Sequence, residues 1–204
     1  MSLAFFDRPA EVVARELLGT LVVSSVEGET TAGRVVETEA YLGYDDPASH
    51  GYRHRRNQRN AALFGPPGTW YVYLSYGIHW CANLVCEAEG KAAAVLLRAL
   101  EPVEGLDLMR RRRRVAADRD LCSGPGRLCQ ALGITRDLDG RPMPESPVVV
   151  MFRQPDGEPL SVAATPRIGI TKAAELPLRF VIAGSLWASG RRTRVASTGL
   201  PDKS

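Results

Sequence analysis

The sequence predicts a mixed α+β fold built as one domain over residues 1–204, with more strand than helix at its centre. Three observations predict it. A chain of 204 residues that is 45% hydrophobic can bury one substantial core without help from disulfides or metal. Residues 69–86 are dense in aromatic and β-branched types, which favour pleated, half-buried surfaces. Helix-like patterns are confined to the N-terminal end and to residues 104–133.

In chain order, Asp7 is placed to cap a first helix, with Pro9 in its first turn. Val12, Val13, Leu17 and Leu18 form its apolar stripe and Gly19 stands at its end. Leu21 to Ser25 reads as a strand, Glu27-Gly28-Glu29 as a turn, and Gly33 to Leu42 as a second strand, paired with the first as a hairpin. Residues 43–68 are polar and rich in Gly, Pro, Asn and Arg, the composition of a long ordered loop with short helical turns. Loops of that length in compact domains are functional or disordered. Thr69 to Cys86 reads as two strands joined near Ser75-Tyr76-Gly77, and Ala92 to Leu100 as another strand. Glu104 to Ala117 reads as a helix carrying the run Arg110 to Arg114. A short helix starts at Ser123-Gly124-Pro125 and ends at Gly133. Val148 to Phe152 and Leu178 to Ala183 complete the strands, and a polar tail from about residue 191 is expected to fray.

Composition limits the function classes. Four cysteines are too few for a disulfide framework, and no stretch nears the roughly 18 apolar residues of a membrane helix. Residues 1–7 lack the features of a secretion signal, so a cytoplasmic protein is expected. The net charge is only +3, but of 26 basic residues just three are lysine: Lys91, Lys172 and Lys203. An arginine excess suits bidentate phosphate contact and follows equally from GC-rich coding. Cys81, Cys86, Cys122, Cys129, His50, His54 and His79 make no metal-ligand spacing, so no metal is expected.

Four clusters can carry chemistry. On a strand, Glu37, Glu39 and Tyr41 share one face and Val36, Thr38 and Ala40 the other. Two carboxylates and an aromatic on one face are either a solvated strand surface or the apparatus for activating water at a glycosidic bond. Trp70 to Trp80 holds Tyr71 and Tyr73 on one face and Tyr76 near a hairpin tip. That is either an aromatic core pair or a base-stacking surface with a wedge. Arg98, on the apolar strand Val95-Leu96-Leu97-Arg98, demands an anionic partner if buried, and Glu39 would serve. His50 alone reads more readily as structural. Ser123, Gly124 and Arg127 stand at a Gly-rich helix start that is either a plain cap or a phosphate site. The arginine run 110–114 reads as a solvated helix face, with DNA backbone as the alternative.

The order of these motifs resembles one family. Arg34-Val35-Val36-Glu37-Thr38-Glu39-Ala40-Tyr41-Leu42-Gly43, then Asp46, His50, Arg59-Asn60, Pro67-Gly68-Thr69-Trp70-Tyr71-Val72-Tyr73, Tyr76-Gly77 and Asn83 are similar to the alkyladenine (3-methyladenine) DNA glycosylase family. So are Leu96 to Pro102, Leu121 to Pro125, Leu128 to Leu132, Arg167 to Ile170 and Pro177 to Phe180. The likeness spans about residues 4–190. It implies a central curved antiparallel sheet with flanking helices and a protruding, DNA-inserting hairpin. It also implies a monofunctional base-excision repair enzyme that flips damaged purines from double-stranded DNA and hydrolyses the N-glycosidic bond with water.

The implied substrates are 3-methyladenine and 7-methylguanine, with hypoxanthine and ethenoadenine beyond them. By the same resemblance Glu39 is the general base and Arg98 holds the water. Tyr41 stacks on one face of the flipped base, and His50 and Tyr73 lie on the other, the His50 backbone reading the base edge. Asn83 clashes with the exocyclic amine of normal guanine, and Tyr76 fills the gap left in the duplex. Arg59, Ser123, Gly124 and Arg127 are the candidates for DNA backbone contact. No cofactor, no membrane, a monomeric state and a cytoplasmic, nucleoid-associated location complete the expectation. Asn57, Ile78 and His79 depart from the pattern beside the loop and wedge. Two rival readings remain: a non-catalytic nucleic-acid-binding module, and a hydrolase of free nucleosides or sugars.

Overall fold

A computed structural model describes residues 1–152 and 160–190. Among the described residues, eight strands form one antiparallel sheet: β1 (Leu21–Ser24), β2 (Thr31–Tyr41), β3 (Trp70–Ser75), β4 (His79–Cys86), β5 (Ala93–Glu104), β6 (Val148–Met151), β7 (Val162–Thr165) and β8 (Arg179–Ile182). The main path runs β3-β4-β5-β2-β1-β6, with β8 pairing β2 and β7 pairing β8. Three helices, α1 (Ala10–Glu16), α2 (Leu106–Arg113) and α3 (Pro125–Leu132), flank it. The α+β class and the antiparallel sheet are as expected. No helix among the described residues is long and apolar enough to cross a membrane.

Strand β2 organises the molecule. Its first residues pair with β1, Glu37 to Glu39 pair with β8, and the whole strand runs beside β5. Register shifts near Val35–Glu37 and Glu37–Thr38 bend this pair and re-aim side chains at the middle of the sheet. The two faces of β2 meet different layers. On one, the Thr38 hydroxyl donates to the Ala14 carbonyl of α1 at 2.8 Å, and Phe6, Leu17, Trp70, Leu97, Leu100 and Leu132 are among the fully buried core. On the other, Leu63 and Phe64 of the long 43–68 loop pack with Tyr71, Val85 and Ala94 as a second, smaller apolar cluster. The loop is ordered by its own polar side chains. Asp46 accepts from the backbone N–H of Leu42 and Ala48, and Asn60 donates to the His50 and Arg55 carbonyls.

Several boundaries differ from the sequence expectation. Pro9, not Asp7, is the N-cap of α1, and no side chain caps it. The residue before a proline is disfavoured in helical conformation, so the helix cannot reach back to Asp7. Strand β5 runs on to Glu104, past Leu100, through Pro102 at a register irregularity where a missing N–H is tolerated. Helix α2 therefore starts at Leu106, and it stops at Arg113 because Arg114 turns left-handed. Strand β7 was not expected at all. The tail from 191 lies outside the described residues.

Candidate active site

The register lines up Tyr71 with Asn83, Asn83 with Leu96, and Leu96 with Glu39 across four strands, so these side chains share one face. Beside that row lie Tyr73 and Cys81, paired across β3 and β4. Strands β3 and β2 stand three strand spacings apart, about 14 Å. Aromatic side chains rise from these outer strands, and shorter ones from β4 and β5 form the floor between them. The result is a cavity of about 510 Å³ whose lining includes Tyr41, His50, Tyr73, Tyr76, Asn83 and Arg98. These are the six candidates for base pocket, water positioning and intercalation, brought to one place.

One wall is a cluster of rings. Tyr71 and Tyr73 stack at 5.3 Å between centroids, and His50 stands edge-on to Tyr73 at 4.6 Å. His50 Nδ1 lies 2.8 Å from the Tyr71 hydroxyl. Although His50 as a residue is exposed, its ring is desolvated against the two tyrosines, which lowers its pKa and keeps the imidazole neutral at pH 7. The His50 carbonyl accepts from Asn60 Nδ2 at 3.0 Å, which fixes the backbone at this wall of the cavity. Asn83 spends its amide nitrogen on the Tyr71 carbonyl at 3.0 Å.

The opposite wall is Tyr41. The Arg167 guanidinium lies 4.6 Å from its ring centroid, and Arg167 is itself wholly buried in an ion pair with Asp46. Burial alone would raise the Asp46 pKa. The Arg167 hydrogen bonds and the Ala48 and Leu42 N–H groups outweigh it and hold that carboxyl below its usual range.

Glu39 sits behind this wall with no solvent exposure, so the solvated-strand reading of the two glutamates does not hold. Its Oε1 accepts from the Ile168 N–H at 2.7 Å. Its Oε2 accepts from the Tyr41 hydroxyl at 3.0 Å and from Arg98 Nη1 at 3.3 Å. Burial raises the Glu39 pKa, against the lowering pull of Arg98 and of the Ile168 and Tyr41 hydrogen bonds. Glu37, equally buried, takes Arg98 Nε and Arg179 Nε. Arg98 thus finds the expected partner in Glu39 and a second one in Glu37.

The hairpin turn places Tyr76 at φ 50° and Gly77 at φ 69°, with the Ile78 N–H donating to the Ser75 carbonyl. Two positive φ values at the centre of a two-residue turn are the type I′ pattern, free for Gly77 and strained for a tyrosine. Tyr76 is 87% exposed there, flanked by exposed Leu74 and Ile78.

The other candidates scatter. Arg59 lines a second cavity of about 820 Å³, together with Arg55, Arg136 and Lys172, which shares the His50, Tyr71 and Tyr73 wall with the first. Gly124 precedes α3, whose Pro125 reaches the cavity. A Cβ on Gly126 would stand 2.8 Å from His79 Cβ, so α3 is pressed against the hairpin. Ser123 bridges to Ala99, and Arg127 is held by Ser123 and Asp120 outside the cavity. Arg110 to Arg113 are tied to protein acceptors: Arg110 to Asp107 and Asp118, Arg111 to Glu29, Arg112 to Glu27, and Arg113 to Gln130. Much of that charge is neutralised in place.

Asp46, Arg167, Ile168, Arg179 and Ser189 were given no role from sequence. Arginines 167 and 179 beside apolar residues were the available signal, of the same kind that picked out Arg98.

A family model described as methylpurine-DNA glycosylase (MPG) matches residues 4–186. Three relatives each carry the name "Putative 3-methyladenine DNA glycosylase". The protein of Methanoculleus marisnigri is 51% identical over 190 residues, covering 92% of this chain and 97% of its own. That of Rhodopseudomonas palustris strain HaA2 is 52% identical over 186 residues, 91% and 88% of the two chains. That of Nitrosospira multiformis is 50% identical over 185 residues, 90% and 91%. A match over nearly all the residues that build the cavity leaves one assignment: the chain belongs to the methylpurine-DNA glycosylase family.

Proposed function

We propose that this protein excises alkylated purines from duplex DNA, with Glu39 as the base that activates water. The observation that carries the reading is a fully buried carboxylate held by Tyr41, Arg98 and Ile168, three residues that line an aromatic cavity. A flat base extruded from the helix would lie between Tyr41 on one side and His50 and Tyr73 on the other. Asn83 on the floor would occupy the space that a normal guanine's amine requires. Purines alkylated at N3 or N7 carry a positive charge and leave readily. The protein's contribution is then recognition, flipping, and delivery of water to an oxocarbenium-like C1′.

In this reading Glu39 takes the water's proton and Arg98 offsets the charge of the carboxylate while holding the oxygen. Tyr76 enters the duplex at the vacated position. The basic cavity formed by Arg55, Arg59, Arg136 and Lys172 would follow the phosphates beside the flipped nucleotide. Ser123, Gly124 and Arg127 extend that contact along α3. The enzyme acts as a monomer, in the cytoplasm at the nucleoid.

The test is base release from a panel of single-lesion duplexes by the wild type and by Glu39→Gln. The substitution should keep lesion binding and lower single-turnover release by roughly 10²-fold or more. Turnover near the wild-type rate would remove Glu39 from the role. Release from free nucleosides as fast as from duplex would favour the nucleoside-hydrolase alternative.

A further inference from the structure

Glu37 is not used by the proposed chemistry, yet it accepts more hydrogen bonds than Glu39 does. It has no solvent exposure and is set back from the cavity, whose wall on this strand is Tyr41. Its Oε1 accepts from Arg98 Nε at 3.0 Å, Arg179 Nε at 2.6 Å and the Ser189 hydroxyl at 2.8 Å, and its Oε2 accepts from the Ser189 N–H. We propose that Glu37 is the positioning residue of this site, clamping Arg98 through Nε so that one edge of the guanidinium is left for Glu39. The proposal rests on the reading of Glu39 as the base.

The Arg98 contacts support it. Nε goes to Glu37, Nη1 to Glu39 at 3.3 Å and Nη2 to the Ser189 hydroxyl at 3.3 Å. With all three nitrogens directed, the guanidinium cannot rotate about its stem without breaking a buried bond. Glu39 alone would neutralise Arg98, and one contact would suffice for Arg179. The shared carboxylate adds direction. Buried ion pairs contribute little net stability relative to apolar packing, so a network of two carboxylates and two guanidiniums is better accounted for by geometry than by stability.

The arrangement also has an electrostatic consequence. Glu39 is faced by Glu37 and Tyr41 from its own strand, Arg98 from β5, Cys81 from β4, Arg179 from β8, and Arg167. Among these, the Glu37 charge opposes ionisation of Glu39. Removing that charge favours the ionised carboxylate, while releasing Arg98 removes a larger lowering influence on it, so the two effects oppose each other in the acid limb. The readout that separates a clamp from a support of the fold is therefore the plateau rate of folded protein at unchanged duplex affinity.

The experiment is single-turnover release of 7-methylguanine from duplex DNA against pH, with full-length wild type, Glu37→Gln, Ser189→Ala and Glu39→Gln. Glu37→Gln should bind the lesion duplex normally and lose about tenfold or more at the plateau through misplaced Arg98. An unchanged plateau, or a loss matching only the fraction of misfolded protein, overturns the proposal. If Glu37→Gln does not fold, Ser189→Ala decides. It leaves every charge in place and should lower the plateau about three- to tenfold at unchanged duplex affinity; an unchanged plateau overturns the clamp. An active Glu39→Gln would overturn the base reading, and the clamp with it. An inactive Glu39→Gln beside an unchanged Glu37→Gln plateau overturns the clamp alone.

Discussion

The Tyr41 hydroxyl donates to Glu39 Oε2 at 3.0 Å, so the ring at the cavity wall also governs the carboxylate behind it. The bond stabilises the ionised form of Glu39 against the burial that raises its pKa. Burial and the neighbouring Glu39 charge in turn push the Tyr41 phenol far above its ordinary range, which keeps the hydroxyl a donor at any working pH.

Tyr41→Phe keeps the ring and removes the donor. Glu39 then loses one of the interactions that lower its pKa, so the carboxylate protonates at higher pH. Because the base acts only when ionised, activity falls as pH drops through that raised value. The acid limb of the kcat/KM profile should therefore move to higher pH. Lesion affinity should stay within about threefold, since the stacking surface is intact. A profile superposable on wild type would show that the hydroxyl does not act on Glu39.

Tyr76 is largely exposed and holds a positive φ that costs a tyrosine energy, with little burial on the protein to offset it. Tyr76→Ala should leave the melting temperature unchanged and weaken lesion-duplex binding at least about tenfold, while affinity for the same lesion in a single strand changes little. The asymmetry follows because extrusion from a duplex costs a few kcal/mol and from a single strand much less. Equal losses on both substrates would rule out insertion into the duplex.

Legibility in the sequence followed distance along the chain. The period-2 alternation from Val35 to Tyr41 is local, so the shared face of Glu37, Glu39 and Tyr41 could be read directly, and the aromatic parity of Tyr71 and Tyr73 likewise. The aromatic wall was legible as a type of surface, but its pairing with Tyr41, three strand spacings away from β3, needed the sheet order. What separates Glu39 from Glu37 was not legible. Both stand on one face of one strand, and the difference lies in partners 142 and 152 residues away, Arg179 and Ser189. Strand β7 was missed because Val162–Thr165 is short and centred on two alanines, with little propensity of its own; pairing with β8 makes it a strand.

The Asp46–Arg167 pair gives a stability prediction. Both side chains have no solvent exposure, and Arg167 also donates to the Ala40 carbonyl. Asp46→Asn leaves a buried guanidinium without its counter-charge, which costs about 3–5 kcal/mol at pH 7. The Asp46 pKa is lowered in the fold, so its contribution is fully present above the ordinary carboxylate pKa of about 4 and is lost as pH falls through the folded value. Denaturant titrations at several pH values should show the gap between wild type and variant closing below about pH 4. A cost under about 1 kcal/mol at pH 7 would mean that Arg167 finds another partner.

The last prediction concerns strand chemistry. The protein should release base and leave an alkali-labile abasic site without nicking the backbone. A lyase step requires an amine that attacks C1′ to form a Schiff base. Lys91 is exposed in the turn between β4 and β5, and its carbonyl lies where a Cβ on Gly43 would stand. Lys172 is the nearer candidate, because it lines the basic cavity behind the His50, Tyr71 and Tyr73 wall. Glu39, however, lies across β4 and β5 from that wall, beside Tyr41 and Arg98. An amine on the Lys172 side is suited to a phosphate rather than to the carbon that, on the proposed mechanism, Glu39 and its water would address. Borohydride added during turnover on a 7-methylguanine duplex should therefore trap no protein–DNA adduct. Lys172→Ala should weaken duplex binding modestly and make it less salt-dependent, as expected for one lost phosphate contact. A trapped adduct that disappears in Lys172→Ala would overturn the water mechanism and leave Glu39 in a supporting role.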